Sequence, residues 1–317
     1  MRLGLGCAQL GNLYRAMSDE TAAEIVDTAW AHGVRYFDTA PHYGLGLSER
    51  RLGAALAGRP RAEYVLSTKV GRLLVDNPGG AAHRDTEGFD VPATLVRRRD
   101  YSRDGVLRSL ESSLDRLGVD RVDLAFVHDP EDHVEEALAG ALPALVELRE
   151  QGVLRGIGLG MNFQDVLAEF VRQADVDVVM IAGRYTLLEQ PALDELLPLC
   201  VERGVSVMAA GVFNSGILAS ATPGHTYDYA QAPTELVDRA TRIAEVCARH
   251  GVTLPEAAIA LPAAHPAVAS VVLGASSPAQ VESNAARAAA RVPAALWAEL
   301  VAEGLLRPDT PLPEEVA

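Results

Sequence analysis

Five times along this chain a helix-patterned segment ends in the pair Gly-Val: Gly33-Val34, Gly118-Val119, Gly152-Val153, Gly204-Val205 and Gly251-Val252. Glycine takes the left-handed conformation that closes a helix, and valine suits the strand that follows. The first helix is complete in its signals. "SDETAAEIVDTAWAHG", Ser18 to Gly33, opens on an N-cap candidate and early acids and sets Ala22, Ile25, Val26 and Ala29 on one face. The last pair is the exception, because "TLPEAAIA" after Val252 returns to helical spacing.

Helix, glycine, buried strand, loop, helix is the repeat of a parallel sheet. Eight strand candidates follow: 3–8, 35–38, 64–69, 122–128, 154–159, 176–182, 205–210 and 270–274. Between them lie helices such as "SRDGVLRSLESSLDRLG", with Leu107, Leu110, Leu114 and Leu117 on one face. Eight such units predict an α/β fold, a closed (β/α)8 TIM barrel, as a single domain over 1–317. A doubly wound sheet is the alternative. Residues 71–101 and 211–234 exceed an ordinary connection, are rich in Gly, Pro, Asp and Thr, and follow strands, so both are candidate lids on the C-terminal face.

The charge balance narrows the partners. Lys and Arg number 28 against 43 Asp and Glu, and the net charge of -15 repels a phosphate backbone, so no nucleic acid is expected. Cys7, Cys200 and Cys247 form no disulfide framework or CxxC pattern and read as reduced core thiols of a cytoplasmic protein. "MRLGLGCAQLGN" is too short and broken an apolar run for a signal peptide. No stretch approaches the roughly 18 apolar residues of a membrane span.

Barrel enzymes do their chemistry at the C-terminal ends of their strands. Here the second strand ends in Asp38, the third in Lys69 and the fourth in His128, and the turn after the fifth carries Asn162. Singly, Asp38 could start an Asx turn, Lys69 could snorkel and His128 could cap a loop. Together they say more. A lysine closing the apolar run "YVLS" needs a carboxylate, and Asp38 lies one strand over at the same level. Tyr43, in the turn after the second strand, can fold back beside it, and a neighbouring positive charge lowers a phenol's pKa from its usual value of about 10.

From end to end the chain resembles the aldo-keto reductases, through "FDTAPHYGLGLSERRLG", "STKVG", "VHDP" and "VLGASSPAQVESN". By that resemblance Tyr43 is the proton donor or acceptor, Lys69 tunes it, Asp38 holds Lys69, and His128 orients the carbonyl or hydroxyl. "AGRYTLLEQ", "GVFNSGIL", "GLGMN" and "DYSRDGV" are similar to the group that oxidises L-fucose, D-threo-aldoses and L-galactose at C1.

After the last strand, "GASSPAQVESN" sets Ser276 and Ser277 at a helix start, with Gln280 and Asn284 one and two turns on, a natural phosphate seat. The resemblance makes it the adenosine end of NAD(P). Relatives selective for NADP carry basic residues where this chain has Gly274 and Gln280, which leans the expectation to NAD, with NADP open. The same resemblance assigns Asn162 to the nicotinamide carboxamide, although Met161 replaces the usual neighbouring serine and Ala210 and Gly211 replace the usual stacking aromatic. It assigns further cofactor contacts to Gly6, Asp38, Gly211, Phe213, Ser215, Gly216 and Leu218. A Rossmann reading of "GLGCAQLG" fails, because the third glycine falls on Gln9.

The expected activity is NAD(P)-dependent oxidation of an aldose hemiacetal at C1 to the lactone, or the reverse on an aldehyde. Alternatives on the same site are pyridoxal oxidation and general aldehyde or ketone reduction. From other classes come an NAD(P)-binding regulatory protein with little turnover, and a metal hydrolase using "HDPEDH" (His128 to His133) with Asp38 and His42. That last reading lacks a His-x-His after the first strand, and no metal is expected. The partner is a small molecule; the oligomeric state and the role of His42 stay open.

Overall fold

A computed structural model describes residues 3–228 and 230–313. Eight parallel strands close into a barrel in sequence order: β1 (Leu3–Gly6), β2 (Tyr36–Asp38), β3 (Val65–Val70), β4 (Leu124–His128), β5 (Gly156–Met161), β6 (Val178–Ala182), β7 (Ser206–Ala210) and β8 (Val268–Gly274), which pairs back to β1. Each expected strand falls on one of these, with ends moved by a residue or two. Helices separate the strands, as a (β/α)8 barrel requires.

The period-2 alternation of each strand makes two cores. On β3, Leu66 and Val70 face outward into the layer shared with Ile25, Val26 and Ala29 of the helix Asp19–Ala31, all fully buried. Thr68, also outward, donates to Glu49 Oε1 in the helix Leu47–Leu56 at 2.7 Å. Each such buried aliphatic side chain contributes about 1.5–3 kcal/mol. A second apolar cluster joins Tyr36, Phe126, Val178, Met180, Met208 and Val272. Ser67 and Lys69 alternate away from the outer layer, so the strand delivers a polar pair beside Asp38 of β2 and Phe126 of β4.

The Gly-Val punctuation has a backbone cause. Gly118 and Gly204 have φ of 64° and 69°, and a Cβ at either would meet nothing within 4 Å. Space is not the constraint; the left-handed conformation is, at about 1–2 kcal/mol for other residues.

Both long loops cover the C-terminal face. In 71–101, Arg72–Asp76 and Leu95–Arg99 form an antiparallel hairpin. Its far end is sewn to the turn after β1 by Tyr14 N to Gly88 O at 2.8 Å and Asp90 N to Asn12 O at 2.9 Å. Loop 211–234 holds a 3-10 turn at Asn214–Gly216 and a short ribbon pairing Thr226–Tyr227 with Ala230–Gln231. Among the described residues no helix is long and apolar enough to cross a membrane.

Candidate active site

Lys69 is the only lysine in the chain. It is 2% exposed, and its ammonium donates to Asp38 Oδ2 at 2.6 Å, to the Thr39 carbonyl at 3.1 Å and to Tyr43 Oη at 3.1 Å. All three N–H groups therefore have acceptors. Burial alone would lower the Lys69 pKa, but Asp38 and Tyr43 outweigh it and hold the group above the usual lysine range. On the other side of the carboxylate, Ser67 Oγ lies 2.7 Å from Asp38 Oδ1 and 3.0 Å from Tyr36 Oη. Ser67 was not singled out in the sequence; its signal is the i, i+2 spacing to Lys69 on one strand face.

A close backbone approach fixes the turn that carries Tyr43. A Cβ at Gly44 would stand 2.2 Å from Gly11 O, and one at Gly11 would stand 2.6 Å from Tyr43 C. The Tyr43 ring meets His128 edge-on at 5.9 Å between centroids, with Phe89 at 6.0 Å and His42 at 5.8 Å. Lys69 Nζ lies 4.8 Å from the Tyr43 centroid.

His128 ends β4 and is 6% exposed. Tyr101, fully buried, brings its hydroxyl within 2.8 Å of both the His128 and Asp129 carbonyls. Asp129 has a left-handed φ of 45° and donates its N–H to Gly160 O at 3.1 Å, so the chain turns sharply after the histidine. Burial, followed by the Arg72 guanidinium, pushes the His42 imidazole down to about 2 and the His128 imidazole well below its usual range. Both rings are neutral at physiological pH. Burial pushes the Asp129 carboxyl up to about 6 against the opposing pull of Arg72.

The structure thus brings Asp38, Tyr43, Lys69 and His128 into one cluster, and it adds His42, Phe89, Arg72 and Asp129. Arg72 donates to Asp129 Oδ2 at 2.5 Å and lies 3.3 Å from His42 Nδ1. A guanidinium already occupies the space between His42 and Asp129, Asp38 is held by Lys69, and His133 pairs with Glu136 at 3.3 Å. Among the described residues no three His, Cys, Asp or Glu side chains are grouped to hold a metal. Of the set named for a hydrolase, Asp38, His42 and His128 share the cluster, but Lys69 and Arg72 stand among them and His133 pairs elsewhere.

The residues expected to hold a dinucleotide follow around the rest of the rim, at the ends of β1, β5, β7 and β8. Gly6 pairs with Gly274 on one side and Asp38 on the other, at the ends of three neighbouring strands. Ser277 caps the helix Pro278–Ala288, accepting from Gln280 N at 3.3 Å; Asn284 is buried in that helix. Gln280 Oε1 accepts from Ser276 N at 2.7 Å, so a neutral carbonyl stands on the N–H group of the anion seat. At Gly274 a Cβ would lie 2.5 Å from Gln9 Oε1, a buried atom without a hydrogen-bond partner, so a side chain there would have to displace the Gln9 amide. Asn162 follows β5, and Gly211 follows β7 with φ 62° and a would-be Cβ 2.9 Å from Gly183 N. Ser215 and Gly216 have φ of 57° and 108° in the turn that Phe213 opens.

Leu218, in the same segment, is fully buried with Leu187, Leu188 and Ile217, and its N–H goes to Phe213 O at 3.1 Å. Arg15 was missed: its guanidinium reaches Ser276 Oγ at 2.9 Å across 261 residues of sequence, a contact with no local signal. The bare glycines, the seated Gln280 carbonyl and the orphaned Gln9 oxygen fit a dinucleotide's adenosine end.

The aldo/keto reductase family model matches residues 2–302. The chain belongs to the aldo/keto reductase family. It is therefore an oxidoreductase, and aldo-keto reductases use NAD(P)H. A D-threo-aldose 1-dehydrogenase of Pseudomonas sp is 52% identical over 309 residues, covering 96% of this chain and 94% of the relative. A pyridoxal 4-dehydrogenase of Microbacterium luteolum is 38% identical over 96% of this chain and 94% of its own. Among solved structures, the holo form of an aldo-keto reductase from Bacillus halodurans superimposes with a TM-score of 0.74 at 26% identity, covering 99% of this chain and 94% of that one.

Proposed function

We propose that this aldo-keto reductase is an NAD(P)-dependent aldose 1-dehydrogenase that oxidises the C1 hemiacetal of a sugar to a lactone. The observation that carries the reading is the buried Asp38–Lys69–Tyr43 chain, with contacts of 2.6 and 3.1 Å, in a protein 52% identical to a D-threo-aldose 1-dehydrogenase. The nicotinamide, when bound, supplies hydride acceptance. Tyr43 Oη takes the proton of the C1 hydroxyl, and in the reverse direction returns it to the carbonyl oxygen. Lys69, donating to Oη, stabilises the negative charge on that oxygen while it is without its proton. Asp38 keeps the ammonium charged and in place, and the neutral His128 imidazole orients the reacting oxygen.

Residues Gly6, Asp38, Asn162, Gly211, Phe213, Ser215, Gly216, Gly274, Ser276, Gln280 and Asn284 hold the cofactor in this reading. NAD is the preferred form, because the Gln280 carbonyl, rather than a cation, stands on Ser276 N. Arg15 beside Ser276 Oγ leaves NADP as a second cofactor. The whole chain acts as one domain, in a cytoplasm that keeps its three buried thiols reduced. Pyridoxal is the second reading, favoured by the 38% relative of that activity. Its cyclic hemiacetal would meet the same Tyr43.

Tyr43→Phe tests the assignment. Turnover should fall by about 10²–10⁴-fold, while cofactor binding, followed by NADH fluorescence, survives. Unchanged turnover would remove Tyr43 from the mechanism. A panel of L-fucose, D-arabinose, L-galactose, pyridoxal and simple aldehydes, each with NAD and NADP, ranks the substrates by absorbance at 340 nm.

A further inference from the structure

The cluster beside His128 contains a charged pair that proton transfer does not use. Arg72, from the first strand of the cover hairpin, is 9% exposed, and its Nε is buried with no hydrogen-bond partner. Asp129 follows His128 directly. Arg72 takes its Oδ2 at 2.5 Å, and among the described residues Oδ1 accepts no hydrogen bond, while the side chain keeps 27% of its surface exposed. The same Oδ2 lies 3.5 Å from His128 Nε2. Holding an aspartate at φ 45° costs on the order of 1–3 kcal/mol and persists where the surroundings over-determine it. Here the Tyr101 hydroxyl and Gly160 carbonyl do so, and the effect is to turn one open carboxylate oxygen onto the rim next to the histidine.

Resting on the dehydrogenase reading above, we propose that Asp129 and Arg72 form the hydroxyl-recognition site of the substrate pocket, with Asp129 Oδ1 accepting from the ring hydroxyl at C2 and Arg72 fixing the carboxylate that does so. The chemistry matches in sign. A carboxylate only accepts and a guanidinium only donates, whereas each hydroxyl of a vicinal pair can do both. His128 orients the C1 oxygen, so a group in contact with His128 falls one carbon further along the sugar. The substrate class is then a cyclic aldose with a free C2 hydroxyl, in preference to an aldehyde or a deoxy sugar. A site built around a hydroxyl discriminates strongly, because an analogue without it leaves an acceptor unpaired once the bound sugar has covered it.

The test crosses substrate with protein. kcat/KM is measured for D-arabinose and for 2-deoxy-D-ribose, its 2-deoxy analogue, with the wild type, Asp129→Asn, Arg72→Lys and Arg72→Met. The wild type should prefer the 2-hydroxy sugar by about 100-fold or more. In Asp129→Asn that preference should shrink to less than about tenfold, mainly through loss of the 2-hydroxy sugar; Arg72→Lys, which keeps a donor, should retain more of it than Arg72→Met. A purely structural role would slow both sugars equally and leave the ratio unchanged, and that result overturns the proposal. So does a wild type that treats the two sugars alike, an outcome that needs no variant to fold and leaves the dehydrogenase reading standing. A wild type inactive on every sugar but active on pyridoxal or simple aldehydes overturns the reading itself and the inference with it.

Discussion

The two covers over the barrel mouth are built on opposite terms. The cover after β3 puts its own side chains into the site: Phe89, 4% exposed, packs on His42 at 5.1 Å and on Tyr43 at 6.0 Å between centroids. Arg97, paired with Asp85 at 2.6 and 2.9 Å, donates to the His42 carbonyl at 2.8 Å. The cover after β7 is fastened from outside. Arg184 holds Asp228 at 2.5 Å, and Glu189 accepts from Tyr227 Oη at 2.5 Å and from Asn214 Nδ2 at 3.2 Å. The first cover is stacked on the rings of the cluster, while the second is tied to the β6 side by an ion pair and by the Glu189 hydrogen bonds. A stacked wall thus faces a tied strap.

The largest break in that contrast comes from the wall's anchor. Lys69→Met leaves the Asp38 carboxylate buried without its cation, and removing one partner of a buried pair costs about 3–5 kcal/mol. The melting temperature should drop sharply and turnover with it. Lys69→Met/Asp38→Asn should recover most of the stability and none of the activity. If the double variant melts like the single one, the loss comes from packing rather than charge.

Acid should loosen the wall before the strap. His42 and His128 lie far below the ordinary imidazole value of about 6.5. Below that pH the unfolded chain takes up protons on both while the folded chain does not, so stability falls as pH falls, by about 1.4 kcal/mol per unit for each proton. Asp129 works in the opposite sense. Its folded value of about 6 exceeds the unfolded carboxylate value, so between about pH 4 and 6 the folded state holds a proton that the unfolded state lacks. The net uptake from these three groups is about one proton from pH 6 to 5. Calorimetry at pH 7, 6 and 5 should show a steeper acid loss for Asp129→Asn than for wild type and a shallower one for His42→Gln.

These contrasts also mark where the sequence stops speaking. Asp38, Lys69 and His128 were legible because each ends an apolar run, and closing a barrel carries all strand ends to one rim. The Tyr43 contact followed from a short turn. Arg72 and Asp129 were not legible as a pair: they are 57 residues apart, and Arg72 lies in a segment whose composition reads only as a long loop. The hairpin itself left no mark in the pattern, since a strand inside a loop has no helix beside it to complete the βα unit.

The smallest predicted effect belongs to the strap. In the Arg184–Asp228 pair the side chains are 16% and 38% exposed, so solvent screens their attraction. A pair of that kind contributes about 0.2–1 kcal/mol. Asp228→Asn should therefore raise the cofactor's Kd by no more than about fivefold. That change should fall in the dissociation rate, since a latch acts on release, and stopped-flow displacement of NADH reads it directly. Aldose KM should hold, because the strap's fastenings lie on the β6 and β7 side, away from Phe89 and Arg72. A variant that shifts aldose KM while leaving NADH dissociation unchanged would exchange the two assignments, making the strap the substrate wall.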